Sequence, residues 1–290
     1  MDSLRCQTFV DYEHIVVDGG STDGSVELLK SMEGTYPLRW ISEPDTGMYN
    51  AINKGLAMAR GSILAYLNSD DLYFPWTLEV VVREFRRRPS VDFVYGDALS
   101  IDDETGVRRM YWQLPFHRDT VHRTGFLAQP TVFWRRRVAE AVGGFDESLR
   151  YVADCDYWMR AADRFRFHKV HEVLAVERDH RGTLRETESR VWTELARVRS
   201  RYVRLAGWRH SLRHQRNLRR TQMLERLYSV AILCQSRMRR CSRRGPWAQF
   251  LAADETTFDI RETLRSLVPR HYESRSRIMK PDRRWLEPPG

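Results

Sequence analysis

The sequence predicts an α/β fold built on a mostly parallel sheet, and three observations support this prediction. Short apolar runs at residues 15–17 and 63–67 are typical of buried strands. Both runs stop at acids, Asp18 after the first and Asp70 with Asp71 after the second. Helical patterns separate the runs, so strands and helices alternate along the N-terminal part of the chain.

A glycine-rich turn follows the first predicted strand. Residues 14–17 form the strand, Asp18 closes it, and the turn GGSTDGS at residues 19–25 precedes a helical pattern that begins at Val26. Glycines in such a turn let a ligand approach the backbone closely. Asp18 is therefore a candidate ligand-binding residue, and the alternative is an acid that only shapes the turn.

The stretch from residue 43 to residue 71 places two more acids at the end of a predicted core strand. Apolar residues recur at helical spacing over residues 51–59, and the strand at residues 63–67 then stops at Asp70 and Asp71. Ligands of open α/β sheets bind at this edge, where neighbouring carboxylates need a cation or donor groups to offset their charge. A helix cap is the alternative role of this pair.

Further elements continue the pattern towards a second pair of acids. Asp154 and Asp156 lie in the first turn of a predicted helix, where acids complement the helix dipole. The other predicted helices span residues 78–85 and 136–142, and the other predicted strands span residues 91–95, 107–112, 131–134 and 173–176.

The positive charge of the chain is concentrated in its C-terminal part. The formal net charge is +9, whereas residues 197–244 contain fifteen arginines and one acid, a local balance of +14 that leaves −5 for the remainder. An acidic body with a basic segment differs from a uniformly basic nucleic-acid-binding protein, so nucleic acid is not an expected partner. Apolar positions between arginines at residues 223–234 suit either a helix on an anionic membrane surface or packing against the body.

Cysteine usage and hydropathy predict a cytoplasmic protein. The four cysteines include no CxxC pair, and no apolar run approaches the roughly 18 residues that span a bilayer. The N-terminal sequence MDSLRCQTFV lacks the apolar core of a signal peptide. Peripheral attachment to the inner membrane face is a further expectation. We predict a catalytic-size domain at residues 1–189, a basic helical extension at 190–245 and a loosely structured tail at 246–290.

Six motifs, taken in order, resemble those of the family-2 glycosyltransferases, inverting GT-A type enzymes that build polysaccharides and other cell-surface glycans. The motifs are IVVDGGSTDGS, EPDTGMYNAINKGLAMARG, LNSDD, QPTVFWRRRV, GGFDESL and ADCDYWMR, and they extend over residues 14–182. The resemblance implies a Rossmann-like sheet flanked by helices. It also implies transfer of a sugar, with inversion, from a nucleotide-diphosphate-sugar donor to a glycan or lipid-linked acceptor.

The resemblance assigns four residues to the donor side of the site. Asp18 would contact the nucleotide base, and Asp70 would hold the ribose. Asp70 and Asp71 together would bind a divalent cation, magnesium or manganese, at the donor diphosphate, since these ions prefer oxygen ligands. His180 would lie near the diphosphate, and a surface histidine is the alternative.

The resemblance assigns two residues to the acceptor side. Asp154 would be the catalytic base that takes the proton from the acceptor hydroxyl. Asp156 is the alternative base, and a dipole partner is the alternative role of Asp154. Gln129 would line the acceptor side, unless it only caps a strand end.

Two departures from the family pattern lead to a second expectation. Asn68 stands where many members carry an acid, and no strand with the family's Pro-Thr-x-Asn type of turn precedes Asp18. Either the start is assigned late or the protein is a truncated, non-catalytic remnant that binds a membrane or a partner.

Overall fold

A computed structural model describes residues 1–103, 108–125, 127–180 and 188–202. The chain divides into two compact units, Met1–Thr221 and Gln222–Gly290, and the described residues all lie in the first. Most of the predicted basic extension, including the apolar stripe at residues 223–234, and the predicted tail at 246–290 lie outside the described residues.

Helices and strands alternate from α1 to β3, as the sequence predicts for the N-terminal part of the chain, and the alternation is less regular after it. The helices are α1 (Asp2–Arg5), α2 (Ser25–Met32), α3 (Met48–Met58), α4 (Thr77–Arg87), α5 (Arg118–Thr124), α6 (Arg136–Val142), α7 (Ala153–Ala161) and α8 (Glu188–Ser200). The strands are β1 (His14–Asp18), β2 (Leu38–Ser42), β3 (Ile63–Leu64), β4 (Leu72–Tyr73), β5 (Phe93–Asp102), β6 (Arg108–Tyr111), β7 (Phe133–Arg135) and β8 (Phe167–Asp179).

The strands form two sheets, and the larger one is mixed rather than mostly parallel. Strands β1 and β2 pair in parallel as a separate two-stranded sheet. The six-stranded sheet has the order β3-β7-β5-β8-β4, with β6 paired to β5. Only β5 and β8 are parallel there, because β7, β6 and β4 run against their neighbours. Antiparallel neighbours need no crossover helix, so the helix and strand alternation in the sequence did not reveal them.

Strand β1 and strand β3 each leave one edge without a strand partner among the described residues. The two strands start side by side, because Oε1 of Glu13 accepts hydrogen bonds from the backbone N–H groups of Arg60 and Gly61. A side chain thus bridges the two chain segments, and no backbone ladder pairs β1 with β3 in the described residues. The residues of β1 are consequently only half-buried.

The larger sheet is covered on both faces by separate apolar clusters. Successive residues of β5 alternate between them, with Phe93 and Tyr95 in one cluster and Val94 in the other. The first cluster packs against α7 and includes the fully buried Trp134 and Trp158. The second packs against α4, which contributes Val80, Val81 and Phe85. This two-sided packing fixes the positions of the loops at the strand ends.

A short 3₁₀ turn replaces part of the strand predicted at residues 131–134. The turn spans Gln129–Thr131, and the strand begins only at Phe133. The Thr131 hydroxyl donates a hydrogen bond to the carbonyl of Ala128, which closes the turn. The turn directs the side chain of Gln129 towards the loop that carries Asp70 and Asp71.

Candidate functional site

Acids from distant parts of the chain meet at one cavity. Asp18, Asp70, Asp71, Gln129 and Asp154 all line a cavity of about 1830 Å³ within the first compact unit. Asp18 ends β1, the two neighbouring acids lie in the loop between β3 and β4, and Asp154 is the second residue of α7. The convergence expected from strand-end acids is therefore present.

The side chain of Asp18 is fixed by the glycine-rich turn and by β2. Its Oδ2 accepts hydrogen bonds from the backbone N–H groups of Gly20 (3.0 Å) and Ser21 (2.9 Å) and from the hydroxyl of Ser42 (2.6 Å). Hydrogen bonds from Ser21 and Ser42 lower the pKa of Asp18 to about 2. The carboxylate thus shapes the turn and stays charged, while its Oδ1 takes part in none of these bonds.

Asp70 and His180 form a pair beside the cavity. Nε2 of His180 lies 3.2 Å from Oδ2 of Asp70, and the two side chains are about one third exposed, at 36% and 33%. His180 is at the end of β8, more than a hundred residues from Asp70 in sequence. His180 thus lies beside the acidic loop, and its predicted place near a diphosphate stays a prediction.

Asp71 is buried and is held by donors from the protein itself. Its Oδ1 accepts the backbone N–H of Arg178 at 3.1 Å, and its Oδ2 accepts Nδ2 of Asn68 at 3.3 Å. Burial, with a smaller effect of the neighbouring Asp70, raises the pKa of Asp71 to about 7. Oδ1 of Asp71 therefore holds the loop between β3 and β4 against β8, and Oδ2 accepts a bond from within the same loop.

The amide of Gln129 contacts the same acidic loop. Its Nε2 donates to the carbonyl of Tyr66 at 2.7 Å, and its Oε1 accepts from Asn68 at 3.2 Å. Asn68, which stands where many relatives carry an acid, is thus the link between Gln129 and Asp71. The predicted acceptor-side role of Gln129 is not tested by these contacts.

Asp154 has the environment that a general base needs. Burial raises its pKa to about 6, close to neutral pH, where a base is both largely ionised and able to hold a proton. The hydroxyl of Tyr49 on α3 lies 3.5 Å from its Oδ1, which is a weak contact. Tyr49, Tyr66 and Cys155 surround Asp154, and burial raises the pKa of each, so none of them is charged near neutral pH.

Asp156, the alternative base, points away from the cavity. It is 1% exposed, and its Oδ2 accepts a hydrogen bond from Nε of Arg160 at 2.7 Å. Its Oδ1 accepts the hydroxyl of Tyr202 at 3.0 Å. Asp156 therefore ties α7 to the chain after α8, and of these two acids only Asp154 lines the cavity.

The residues at the cavity fit a divalent cation that is completed by phosphate oxygens. Asp70 offers a hard carboxylate ligand, and Mg²⁺ is commonly bound by one or two carboxylates together with substrate phosphates. Within the described ranges, no three histidine, cysteine or acidic side chains are grouped so that they could hold a metal ion by themselves.

Within those same ranges, none of the helices has the length and apolar character required to cross a bilayer.

Four residues that contribute to the site were not candidates in the sequence. Asn68 and Arg178 hold Asp71, Tyr49 contacts Asp154, and Glu194 binds the backbone just before α7. The adjacency of Asn68 to the two acids was the only signal available for any of them. The others act across long sequence separations that a single sequence does not reveal.

Sequence comparisons agree with the motif resemblance. Residues 1–139 match the family model described as glycosyl transferase family 2. The PGL/p-HBAD biosynthesis glycosyltransferase of Mycobacterium bovis (strain BCG / Pasteur 1173P2) is 32% identical over 163 residues, which cover 55% of this chain and 62% of that protein. Chondroitin synthase of Escherichia coli is 25% identical over 174 residues, or 60% of this chain and 25% of that protein. The chain thus spans less than two thirds of the length of these relatives.

Structural comparisons identify the fold. Staphylococcus aureus TarS 1-349 in complex with UDP-GlcNAc has a TM-score of 0.56 at 18% identity, over 68% of this chain and 60% of that one. The mannosyltransferase PcManGT from Pyrobaculum calidifontis, in complex with GDP-Man and Mn²⁺, has a TM-score of 0.52 at 19% identity, over 68% and 57%. Residues 1–139 are thus similar to the glycosyl transferase family 2 domain, and the described chain has the α/β fold of GT-A type glycosyltransferases.

Proposed function

We propose that the protein is an inverting glycosyltransferase that moves a sugar from a nucleotide-diphosphate-sugar donor to a glycan or lipid-linked acceptor, in the synthesis of a cell-surface polysaccharide or glycolipid. The observation that carries this proposal is the convergence of Asp18, Asp70 and Asp154 on one cavity. Relatives named for chondroitin and PGL/p-HBAD biosynthesis support the substrate class.

On the donor side, each acid has a distinct part. Asp18, at the end of β1, binds the nucleotide base, and Asp70 holds the ribose. Asp70 and Asp71 hold the divalent cation, with Asp70 nearer to the open cavity and Asp71 anchoring the loop. A Mg²⁺ or Mn²⁺ ion supplies positive charge that offsets the charge of the departing diphosphate. His180 lies beside Asp70 at the diphosphate.

On the acceptor side, Asp154 accepts the proton of the acceptor hydroxyl while that oxygen bonds to the anomeric carbon. The bond from this carbon to the diphosphate oxygen breaks at the same time, and the electron pair leaves with the diphosphate. One displacement of this kind inverts the anomeric centre. Gln129 borders the acceptor in this arrangement.

The proposal includes a location at the inner membrane face. Residues 197–244 carry fifteen arginines, and a basic segment of this kind is attracted to anionic lipid. This attachment would bring the cavity close to a lipid-linked acceptor. Flotation with anionic and with neutral vesicles tests the membrane attachment, and binding to duplex DNA is measured beside it. Binding to DNA in preference to anionic vesicles would contradict it.

Donor binding and turnover test the proposal. UDP- and GDP-sugars are added to the full chain with Mn²⁺ or Mg²⁺ and with EDTA, and the melting temperature is measured, since a ligand that binds the folded state raises it. Sugar transfer is then measured with the donor that binds. We expect Asp70→Ala and Asp71→Ala to lose both the rise in melting temperature and the sugar transfer. Glu140→Ala, which changes an exposed acid of α6, should retain both. Undiminished transfer in the two aspartate variants would refute the metal assignment.

The second candidate is a non-catalytic protein that binds a partner or a membrane. The open edges of β1 and β3 favour this candidate, because they leave β1, the strand that ends at Asp18, only half-buried. Vesicle binding without any metal-dependent response to a nucleotide sugar would support this candidate over the enzyme.

A further inference from the structure

The carboxylate of Glu194 on α8 receives three successive backbone N–H groups just before α7. Oε1 accepts the N–H of Arg150 at 3.0 Å, and Oε2 accepts those of Tyr151 at 2.7 Å and Val152 at 3.1 Å. Consecutive N–H groups that point to one side form an anion-binding concavity. In this chain the anion is a side chain from 42 to 44 residues farther along the sequence.

Helix α8 is held in place by more than this contact. Leu195 and Val198 are buried in the same apolar cluster as Trp158 of α7. After the helix, the Tyr202 hydroxyl donates to Asp156 on α7 at 3.0 Å. Glu194 therefore lies on a helix whose position is fixed by packing, and its carboxylate is held in place with that helix.

The three bound N–H groups fix the entry into the helix that carries the proposed base. Val152 is the residue before α7, and Asp154 is the second residue of the helix. A shift of residues 150–152 is passed directly to the backbone of Asp154, because two peptide units separate it from Val152. The negative charge of Glu194 also complements the partial positive charge at the start of α7.

We propose that Glu194 is a positioning residue for Asp154, which holds the base in its orientation towards the acceptor by clamping residues 150–152. The inference rests on the proposed glycosyltransferase function. It adds α8, which lies beyond the region matched by the family model, to the residues that the reaction needs. The basic segment starts within α8, at Arg197.

Steady-state kinetics of Glu194→Ala and Glu194→Gln test the proposal. We expect kcat of Glu194→Ala to fall about ten- to a hundredfold, because small displacements of a reacting group are costly in rate. The donor KM should stay within about twofold of wild type, because the donor-side acids lie on other elements. Glu194→Gln, which keeps one acceptor oxygen, should recover part of kcat. Glu140→Gln on the exposed face of α6 is the matched control and should match the wild type.

A carboxyl NMR titration separates positioning from simple loss of stability. Release of residues 150–152 admits water to Asp154, so its pKa in folded Glu194→Ala should move from about 6 towards the ordinary value. The acidic limb of the kcat profile should move in the same direction. If Glu194→Ala does not fold, the glutamine variant is used for both measurements.

The two proposals fail in different ways. Wild-type protein without transfer would refute the glycosyltransferase, and the NMR titration would still decide whether Glu194 controls Asp154. Wild-type transfer together with an unchanged kcat, pH profile and Asp154 pKa in the Glu194 variants would overturn the positioning role. A rise in donor KM alone would also overturn it, since that would place Glu194 on the donor side.

Discussion

Nδ2 of Asn68 donates a hydrogen bond to Oε1 of Gln129 at 3.2 Å. The same nitrogen lies 3.3 Å from Oδ2 of Asp71, so one amide group connects the 3₁₀ turn before β7 to the acidic loop. The contact gives Asn68 a structural role beside the two acids. It supplies a donor that partly offsets the charge of two neighbouring carboxylates.

This link predicts the kinetic effect of Gln129→Ala. Loss of the amide frees Asn68 and the Tyr66 carbonyl, so the loop that carries Asp70 and Asp71 becomes less ordered. We expect the donor KM to rise about fivefold or more, corresponding to about 1 kcal/mol for a lost hydrogen bond. Steady-state kinetics with donor and acceptor varied separately provide the measurement. An increase confined to the acceptor KM would instead support the acceptor-side role inferred from the family resemblance.

The raised pKa of Asp154 predicts how activity and stability depend on pH. A base must be ionised, so kcat should rise with pH and reach half its maximum near pH 6. Asp154→Asn should abolish transfer. Because the folded-state pKa is above the unfolded value, ionisation destabilises the fold as pH rises from about 4 to 6. Asp154→Asn should therefore be more stable than wild type by about 3 kcal/mol at pH 8 and equal to it below pH 4.

Urea unfolding between pH 3 and pH 8, with the pH profile of kcat, checks the Asp154 prediction. Ser31→Ala, an exposed change on α2, serves as the control and should show no comparable dependence on pH. Full activity of Asp154→Asn at any pH would exclude Asp154 as the base.

The lowered pKa of Asp18 predicts the opposite pH dependence. The carboxylate stabilises the fold above its unfolded pKa, and this contribution is lost as pH falls towards about 2. Ser42→Ala removes one of the bonds to Oδ2, so it should lower stability at pH 7 and have no effect below pH 2. Urea unfolding across this range gives the measurement. A stability loss that is the same at pH 2 and pH 7 would show that Ser42 acts through packing and not through Asp18.

A buried ion pair in the larger sheet predicts a large effect on folding. Nζ of Lys169 on β8 lies 2.9 Å from Oδ1 of Asp97 on β5, and Asp97 is 1% exposed. Lys169→Met leaves this carboxylate buried without its cation, which should cost about 3–5 kcal/mol. Arg5→Met breaks the exposed pair with Asp2 and should cost less than about 1 kcal/mol. Chemical denaturation measures the free energy of unfolding of both variants. Equal losses of that free energy would contradict the predicted importance of the buried pair.

The course of residues 15–17 shows which structural features a sequence pattern predicts and which it does not. Three β-branched residues predict a strand, and β1 is a strand. The pattern also predicts a core position, but burial depends on what lies at both edges, and one edge of β1 has no strand partner in the described part of the chain. Local sequence therefore predicts conformation better than burial.

The site shows the same division between local and distant information. Asp18, Asp70, Asp71 and Asp154 were predicted because each ends a strand or begins a helix, and they line one cavity. Glu194 was not predicted, since its role arises only when α8 packs beside residues 150–152. The mixed sheet was also missed, because β7 pairs with β3 and β5 through contacts that leave no periodic signal.

The open edges of β1 and β3 have a consequence for the handling of the protein. Exposed rows of backbone N–H and C=O groups on β-branched strands recruit the extended chains of neighbouring molecules. Self-association is therefore expected to start at the open edge of β1, which has five residues, rather than at β4, the two-residue edge of the larger sheet. Conditions that keep the protein dilute, or a lysine introduced at the open edge of β1, would delay precipitation without altering the acids of the cavity.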